Sequence, residues 1–201
     1  MIKQEETYLL FPTPIFKGHK DTALTEKQLT FIRKQKEFTY NNYGNITSKN
    51  NYILDTEELK DLKEFCEQKI NDVFKEWYRA DNKLYITQSW LNYTDKFGFH
   101  HQHSHSNSIL SGVFYIKAES GSITFHKTID PSFAFDVKEV TQVNTSIMSV
   151  LVETNDLVIF PSDTRHSVDP IQNGGRVSLA FNTFIKGDLG TKDSLTKITL
   201  N

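Results

Sequence analysis

Phe99-His100-His101-Gln102-His103-Ser104-His105 runs into the apolar stretch Ile109-Leu110-Ser111-Gly112-Val113-Phe114-Tyr115-Ile116-Lys117-Ala118, and four of the chain's seven histidines fall between His100 and His105. In an extended segment, side chains alternate between faces, so His101, His103 and His105 share one face and His100 takes the other. Two imidazoles at i and i+2 on one face can close on a single metal ion. A ferrous centre that handles oxygen needs its protein ligands on one side and open positions on the other, and neutral imidazole suits iron. A third ligand must come from elsewhere in the chain. His166 is the candidate, because it follows Asp156-Leu157-Val158-Ile159-Phe160-Pro161, a buried-type strand ended by proline; His19 and His126 lack such company.

Ten residues beyond His166, Arg176 opens Arg176-Val177-Ser178-Leu179-Ala180-Phe181-Asn182. On a strand, Arg176 and Ser178 share a face with Ala180 and Asn182. A guanidinium takes a carboxylate in two parallel hydrogen bonds and a neighbouring hydroxyl can donate a third, so this pair fits a buried dicarboxylate. The plainer alternatives are a solvated histidine loop and a surface arginine. It is the fixed spacing from His166 to Arg176 that argues against them.

Around this stretch the chain is rich in short β-type runs: Leu84 to Tyr93, Ile109 to Ala118, Ser122 to His126, Ile147 to Val152, Leu157 to Phe160 and Arg176 to Ile185. Glu119-Ser120-Gly121, Asp130-Pro131 and Asn173-Gly174-Gly175 mark turns, and no long helical period intervenes to support parallel crossovers. An antiparallel sandwich or barrel is expected. Two amphipathic helices precede it. The first spans about Glu26 to Glu37, with a capping box of Thr25 and Gln28 and a Leu24–Leu29 staple. The second starts from an Asp55–Glu58 box and a Leu54–Leu59 staple, and carries the stripe Leu59, Leu62, Cys66, Ile70, Val73 and Trp77. Asn41 to Asn51 has no hydrophobic period and reads as a loop. One domain is expected over 1–201, with 1–83 as helical support and 84–186 as the β core.

Composition narrows the class. With 201 residues, 37% of them hydrophobic, the chain can bury a sizeable core. A net charge of −2 supplies no global basic field for nucleic acid. The single cysteine, Cys66, allows no internal disulfide or multi-cysteine zinc site and suits an intracellular, cytoplasmic location. The longest apolar run near the N-terminus, Leu9-Leu10-Phe11, is too short for a signal-peptide core or a membrane span.

These residues resemble the 2-oxoglutarate and iron(II)-dependent oxygenases, whose pattern is His-X-Asp/Glu, a distal His, and an Arg about ten residues later. The likeness is strongest to a branch common in phage and bacterial genomes, with His-X-His, Ser-Gly-Val-Tyr-Tyr and Phe-Pro-Ser. Here the matching segments are His103-Ser104-His105, Ser111-Gly112-Val113-Phe114-Tyr115 and Phe160-Pro161-Ser162-Asp163-Thr164-Arg165-His166. The resemblance runs from about Trp90 to Phe184. It implies a double-stranded β-helix (a jelly-roll or cupin-like fold) and a dioxygenase that hydroxylates its substrate using Fe(II), 2-oxoglutarate and O2. It also implies a metal set of His103, His105 and His166, with Arg176 and Ser178 binding 2-oxoglutarate. Tyr93 and Tyr115 occupy places where prolyl hydroxylases contact that cosubstrate. His105 stands where most of the family has a carboxylate; His101 or a carboxylate such as Asp95 is the alternative third member.

The substrate (protein, nucleobase or small metabolite) and the oligomeric state are not specified by any motif. Loops after Asn41, around Pro131 and after Gly187 are candidates for the entrance. A three-histidine dioxygenase of the cupin type, with Arg176 binding substrate, and a non-enzymatic jelly-roll component, for instance of a phage, are the competing readings. Because imidazole must be neutral to bind metal, iron affinity is expected to fall as pH drops through about 6.5.

Overall fold

The structure is a computed structural model that describes residues 6–119, 121–127, 136–172 and 174–200. Asp130-Pro131, Ser120 and Asn173 of the expected turns lie outside the described residues, as does the candidate entrance loop around Pro131.

The chain runs β1 (Phe16–His19), α1 (Glu26–Gln35), β2 (Thr39–Asn42), β3 (Asn45–Ser48), two 3-10 turns, α2 (Lys60–Tyr78) and β4 (Lys83–Thr94). It continues with β5 (His100–His103), β6 (Leu110–Lys117), β7 (Ser122–His126), β8 (Ile147–Leu151), β9 (Asp156–Pro161), β10 (Arg165–Val168), β11 (Arg176–Leu189) and β12 (Ile198–Leu200). Two antiparallel sheets result. The larger has the order β1-β9-β6-β11-β4-β3-β2, with β12 added to β11; the smaller is β5-β10-β7-β8. From β4 to β11 the chain passes back and forth between the two sheets, apart from the β7–β8 pair within the smaller one, and this is the double-stranded β-helix, as expected. No described helix is long and apolar enough to cross a membrane.

Thr25 and Gln28 form the capping box of α1, with the Thr25 N–H donating to Gln28 Oε1 at 2.8 Å. The helix stops at Gln35, two residues early, where 3-10-type bonds such as Lys36 N–H to the Arg33 carbonyl tighten its last turn. The box expected for α2 does not form. Asp55 lies within a 3-10 turn and pairs with Lys63 at 2.7 Å, and α2 begins only after Leu59, which makes no side-chain cap. The predicted stripe packs as expected: Leu59, Leu62, Cys66, Ile70 and Val73 are buried, with Trp77 partly so. They join Leu91, Phe114, Leu179 and Phe181 in the core between the helices and the larger sheet. A second core of Tyr115, Ile123, Phe125, Val158 and Phe160 lies between the sheets.

Asn41 to Asn51 is not a loop. It contains most of the β2–β3 hairpin, turned at Tyr43 (φ 36°) and Gly44 (φ 109°), which pairs with β4 through Ile46 and Thr47. The hairpin sits at one end of the larger sheet and shows polar residues on both faces, so no hydrophobic period marks it. A side chain at Gly44 would strike the Phe99 carbonyl, whose own amide donates to the Gly44 carbonyl at 3.0 Å. This contact ties the hairpin tip to the start of the histidine strand.

Candidate metal and cosubstrate site

β5 and β10 pair so that His103 lies directly opposite His166. His105 is two residues beyond the end of β5, and its backbone N–H donates to the Ser162 carbonyl at 2.8 Å, which returns its ring to the same point. One nitrogen from each of His103, His105 and His166 lies within 4.8 Å of the others. The ring nitrogens are oriented from behind. His103 Nδ1 is 2.8 Å from the His101 carbonyl and His166 Nδ1 is 2.9 Å from the Thr164 carbonyl, so both rings donate from Nδ1 and keep an Nε2 lone pair for the centre. His166 Nε2 stands 3.4 Å from His105 Nε2. At that distance the pair is satisfied by a hydrogen on the His105 nitrogen or by a cation between the two, and an all-imidazole set suits a first-row divalent metal such as Fe(II).

The alternative third members are outside the converging set. The exposed His101 ring lines the cavity 5.2 Å from that of His103 but stacks on His100 at 4.9 Å between centroids. Asp95 is exposed and pairs with Lys36 at 3.4 Å.

Burial depresses the proton affinity of the cluster. It pushes His166 down to about 3 and His105 to about 4, with the neighbouring His103 adding to both, and it lowers His103 as well. These rings stay neutral well below the ordinary value near 6.5. The expected loss of iron affinity through pH 6.5 is therefore corrected downward. Affinity for a divalent metal is expected to begin falling only below pH 6.5, and to collapse as pH approaches 4. Direct metal titration across that range checks this.

β11 carries the second half of the site. Arg176, 4% exposed, lies beside Thr94 of β4, while Ser178 lies between Asn92 of β4 and Tyr115 of β6. Arg176 Nη1 donates to the Ser122 carbonyl at 3.1 Å, and its Cζ sits 5.4 Å from the centroid of the Tyr115 ring. Arg176 Nε and Nη2 and the Tyr115 hydroxyl are buried without a hydrogen-bond partner among the described residues. A buried guanidinium with two idle donors and no counter-charge lacks an anion. Burial lowers its hold on its proton for the same reason. These donors fit a carboxylate.

Gly121 makes room for this guanidinium. Its φ is +124°, and a Cβ built on it would collide with Arg176 Nη2. Gly121→Ala is expected to weaken 2-oxoglutarate binding by about tenfold or more, since it displaces one arm of the fork and strains the backbone. Calorimetric titration of the variant checks it.

Tyr93 corrects a sequence expectation. Its hydroxyl donates to the Ile32 carbonyl at 2.6 Å and its ring lies in the core under α1, on the face of β4 opposite the site. Asn92 and Thr94, its neighbours in sequence, face the cavity. A chain of buried hydroxyls also went unread in the sequence: Ser111 Oγ donates to Asn182 Oδ1 (2.8 Å) and contacts Ser162 Oγ (2.8 Å), which donates to Ser108 Oγ (2.7 Å). It anchors Ser162, the residue whose carbonyl holds His105. The adjacency of Ser111 to Gly112 and of Ser162 to Pro161 was the only signal.

Histidines and arginine line one cavity of about 360 Å³ between the two sheets. Residues 88–182 match the family described as "Putative 2OG-Fe(II) oxygenase". No curated protein matches the chain in sequence. Among solved structures, a prolyl-4-hydroxylase from Pseudomonas putida is similar, with TM-score 0.59 and 12% identity over 86% of this chain and 93% of that one. So is HygX from Streptomyces hygroscopicus with nickel, 2-oxoglutarate and hygromycin B bound, with TM-score 0.54 and 12% identity over 85% and 82%. The viral collagen prolyl hydroxylase of Paramecium Bursaria Chlorella virus-1 gives TM-score 0.52 and 9% identity over 84% and 94%. These likenesses concern the fold, and the family match spans the histidines and Arg176. The segment from residue 88 to residue 182 thus matches the 2-oxoglutarate- and Fe(II)-dependent oxygenases.

Proposed function

We propose that His103, His105 and His166 hold Fe(II), that Arg176, Ser178 and Tyr115 take the distal carboxylate of 2-oxoglutarate, and that the protein hydroxylates a substrate admitted to the same cavity. The observation that carries this reading is the buried Arg176, with Nε and Nη2 unpartnered, in one cavity with three converging imidazoles. Bound there, the metal and cosubstrate supply the oxidising power: O2 and 2-oxoglutarate yield succinate and carbon dioxide, and one oxygen atom enters a C–H bond of the substrate.

The chain's own part is positional and electrostatic. The carbonyls of His101 and Thr164 accept from His103 and His166 and keep their Nε2 atoms unprotonated. The Arg176 fork fixes the cosubstrate's length and direction, because two parallel hydrogen bonds admit a carboxylate in one plane. Phe125 and Phe160, packed edge to face at 5.2 Å, wall off the His166 side from water. Three neutral ligands leave the full charge of the metal to be offset by the cosubstrate dianion, so anion and metal binding reinforce one another.

The test is a titration of 2-oxoglutarate into Fe(II)-loaded protein without oxygen, then assay of succinate after oxygen is admitted. Tight binding with succinate release is the expected result. Metal binding with neither would instead favour a three-histidine dioxygenase that uses Arg176 for substrate.

A further inference from the structure

The wall of the cavity beyond the metal and Arg176 is built by the β2–β3 hairpin and β4. Apart from Trp90, whose ring lies 5.8 Å from that of His105, it is made of carboxamides and hydroxyls. Asn42 and Asn45 face each other across the hairpin, and Thr47 pairs with Asn92. Asn42 Nδ2 reaches Thr47 Oγ1 and His100 Nε2, each at 3.2 Å, and Thr47 Oγ1 donates to Asn92 Oδ1 at 2.8 Å. This network spends the oxygen of Asn92 and leaves its NH2 available. Asn45 is 7% exposed, lines the cavity, and its Oδ1 has no hydrogen-bond partner among the described residues. A buried carbonyl oxygen left unpaired costs stability unless a ligand donates to it.

The wall stands beside the reaction centre. His100, the partner of Asn42, has its ring 4.4 Å from that of His103. No aspartate, glutamate or lysine lines the cavity among the described residues, and its one permanent charge is Arg176. With Arg176 occupied by the cosubstrate, a carboxylate, phosphate or ammonium entering the wall would lose hydration and find no counter-charge. A neutral group with a donor beside an acceptor meets what the wall offers, an idle acceptor on Asn45 and an idle donor on Asn92.

We infer that this wall is the substrate subsite, and that it takes an uncharged amide-type group whose N–H donates to Asn45 Oδ1. The inference rests on the proposed metal and cosubstrate site. Asn45 is its specificity-determining residue, Asn92 supplies the complementary donor, and Asn42 and Thr47 hold the wall in place. An amide-type group is found both in simple carboxamides and on the edge of a nucleobase, and the probes separate these sources.

The test uses the full chain loaded with Ni(II), which does not turn over, and 2-oxoglutarate. Paramagnetic relaxation of probe protons then reports binding close to the metal. The probes are propionamide and thymine, set against N,N-dimethylpropionamide, which lacks the N–H, and against propionate and propylammonium. Propionamide, thymine or both are expected to relax at least about fivefold more than the other three, and Asn45→Ala is expected to remove about fivefold of that effect while Ni(II) and 2-oxoglutarate still bind as in the wild type. Asn45→Asp, which places an anion at the same point, is expected to turn the preference toward propylammonium. Whichever of propionamide and thymine relaxes identifies the source. The inference is overturned if the dimethyl amide or propionate relaxes as strongly as the amides, if none relaxes, or if folded Asn45→Ala and Asn45→Asp proteins keep the wild-type pattern. Failure of the underlying site would look different: Ni(II) or 2-oxoglutarate would not bind the wild-type protein at all.

Discussion

Arg176→Ala is expected to raise the dissociation constant for 2-oxoglutarate by about 100-fold or more while leaving metal affinity in the absence of cosubstrate within a few-fold of wild type. Each hydrogen bond between a guanidinium and a carboxylate contributes roughly 1.5–3 kcal/mol when water is excluded, and the fork supplies two. Arg176 is 4% exposed, so water cannot substitute for the lost donors. Arg176→Lys should recover only a small part, because an ammonium is a point charge without the planar fork. Calorimetry with Ni(II)-loaded protein reads the loss, and succinate release reads its consequence.

The same substitution site predicts an opposite effect on the ligand-free fold. The guanidinium is buried, pays its desolvation, and recovers one hydrogen bond to the Ser122 carbonyl while Nε and Nη2 go unpaired. Arg176→Met keeps a stem of similar reach over the Tyr115 ring and removes the charge. Its ligand-free form should therefore melt no lower than wild type, while the rise in melting temperature that 2-oxoglutarate gives the wild type disappears. A purely structural arginine would behave the other way.

Which parts of this site the sequence disclosed depended on strand parity. Arg176, Ser178 and Ala180 share one face and line one cavity, because β11 stays regular against β4 from Arg176 to Asn182. His103 and His166 were legible from spacing, although the sequence could not reveal that they would stand directly opposite each other. Tyr93 failed on parity. β4 places Thr94 against Arg176 and Asn92 against Ser178, so Tyr93 pairs with Val177 and turns to the helices. Register between strands 80 residues or so apart is fixed by the whole sheet and carries no local mark. The β2–β3 hairpin was hidden for another reason. Its cavity face is polar because it lines a site, and hydrophobic alternation is the signal that a functional wall gives up.

His166→Ala is expected to reduce affinity for Fe(II) or Ni(II) by about 1000-fold, since only two imidazoles of the converging set would remain. The ring also packs on Phe160 at 4.6 Å between centroids, so some stability is lost with it at neutral pH. The acid limb separates the two effects. In the metal-free wild type, His166 is pushed down to about 3 by burial, whereas in the unfolded chain it titrates near 6.5. Between those values the unfolded state binds a proton that the folded state refuses, so stability falls as pH falls from 6.5, by on the order of 3 kcal/mol at pH 4 for this residue alone. Removing His166 removes one proton from that slope. The variant should thus be less stable than wild type at pH 7.5 and close the gap, or overtake it, by pH 4. Denaturant melts of metal-free protein at the two pH values read the crossing. Parallel curves would mean that the ring is not held neutral in the fold, and the account of three unprotonated imidazoles awaiting a metal would fall with it.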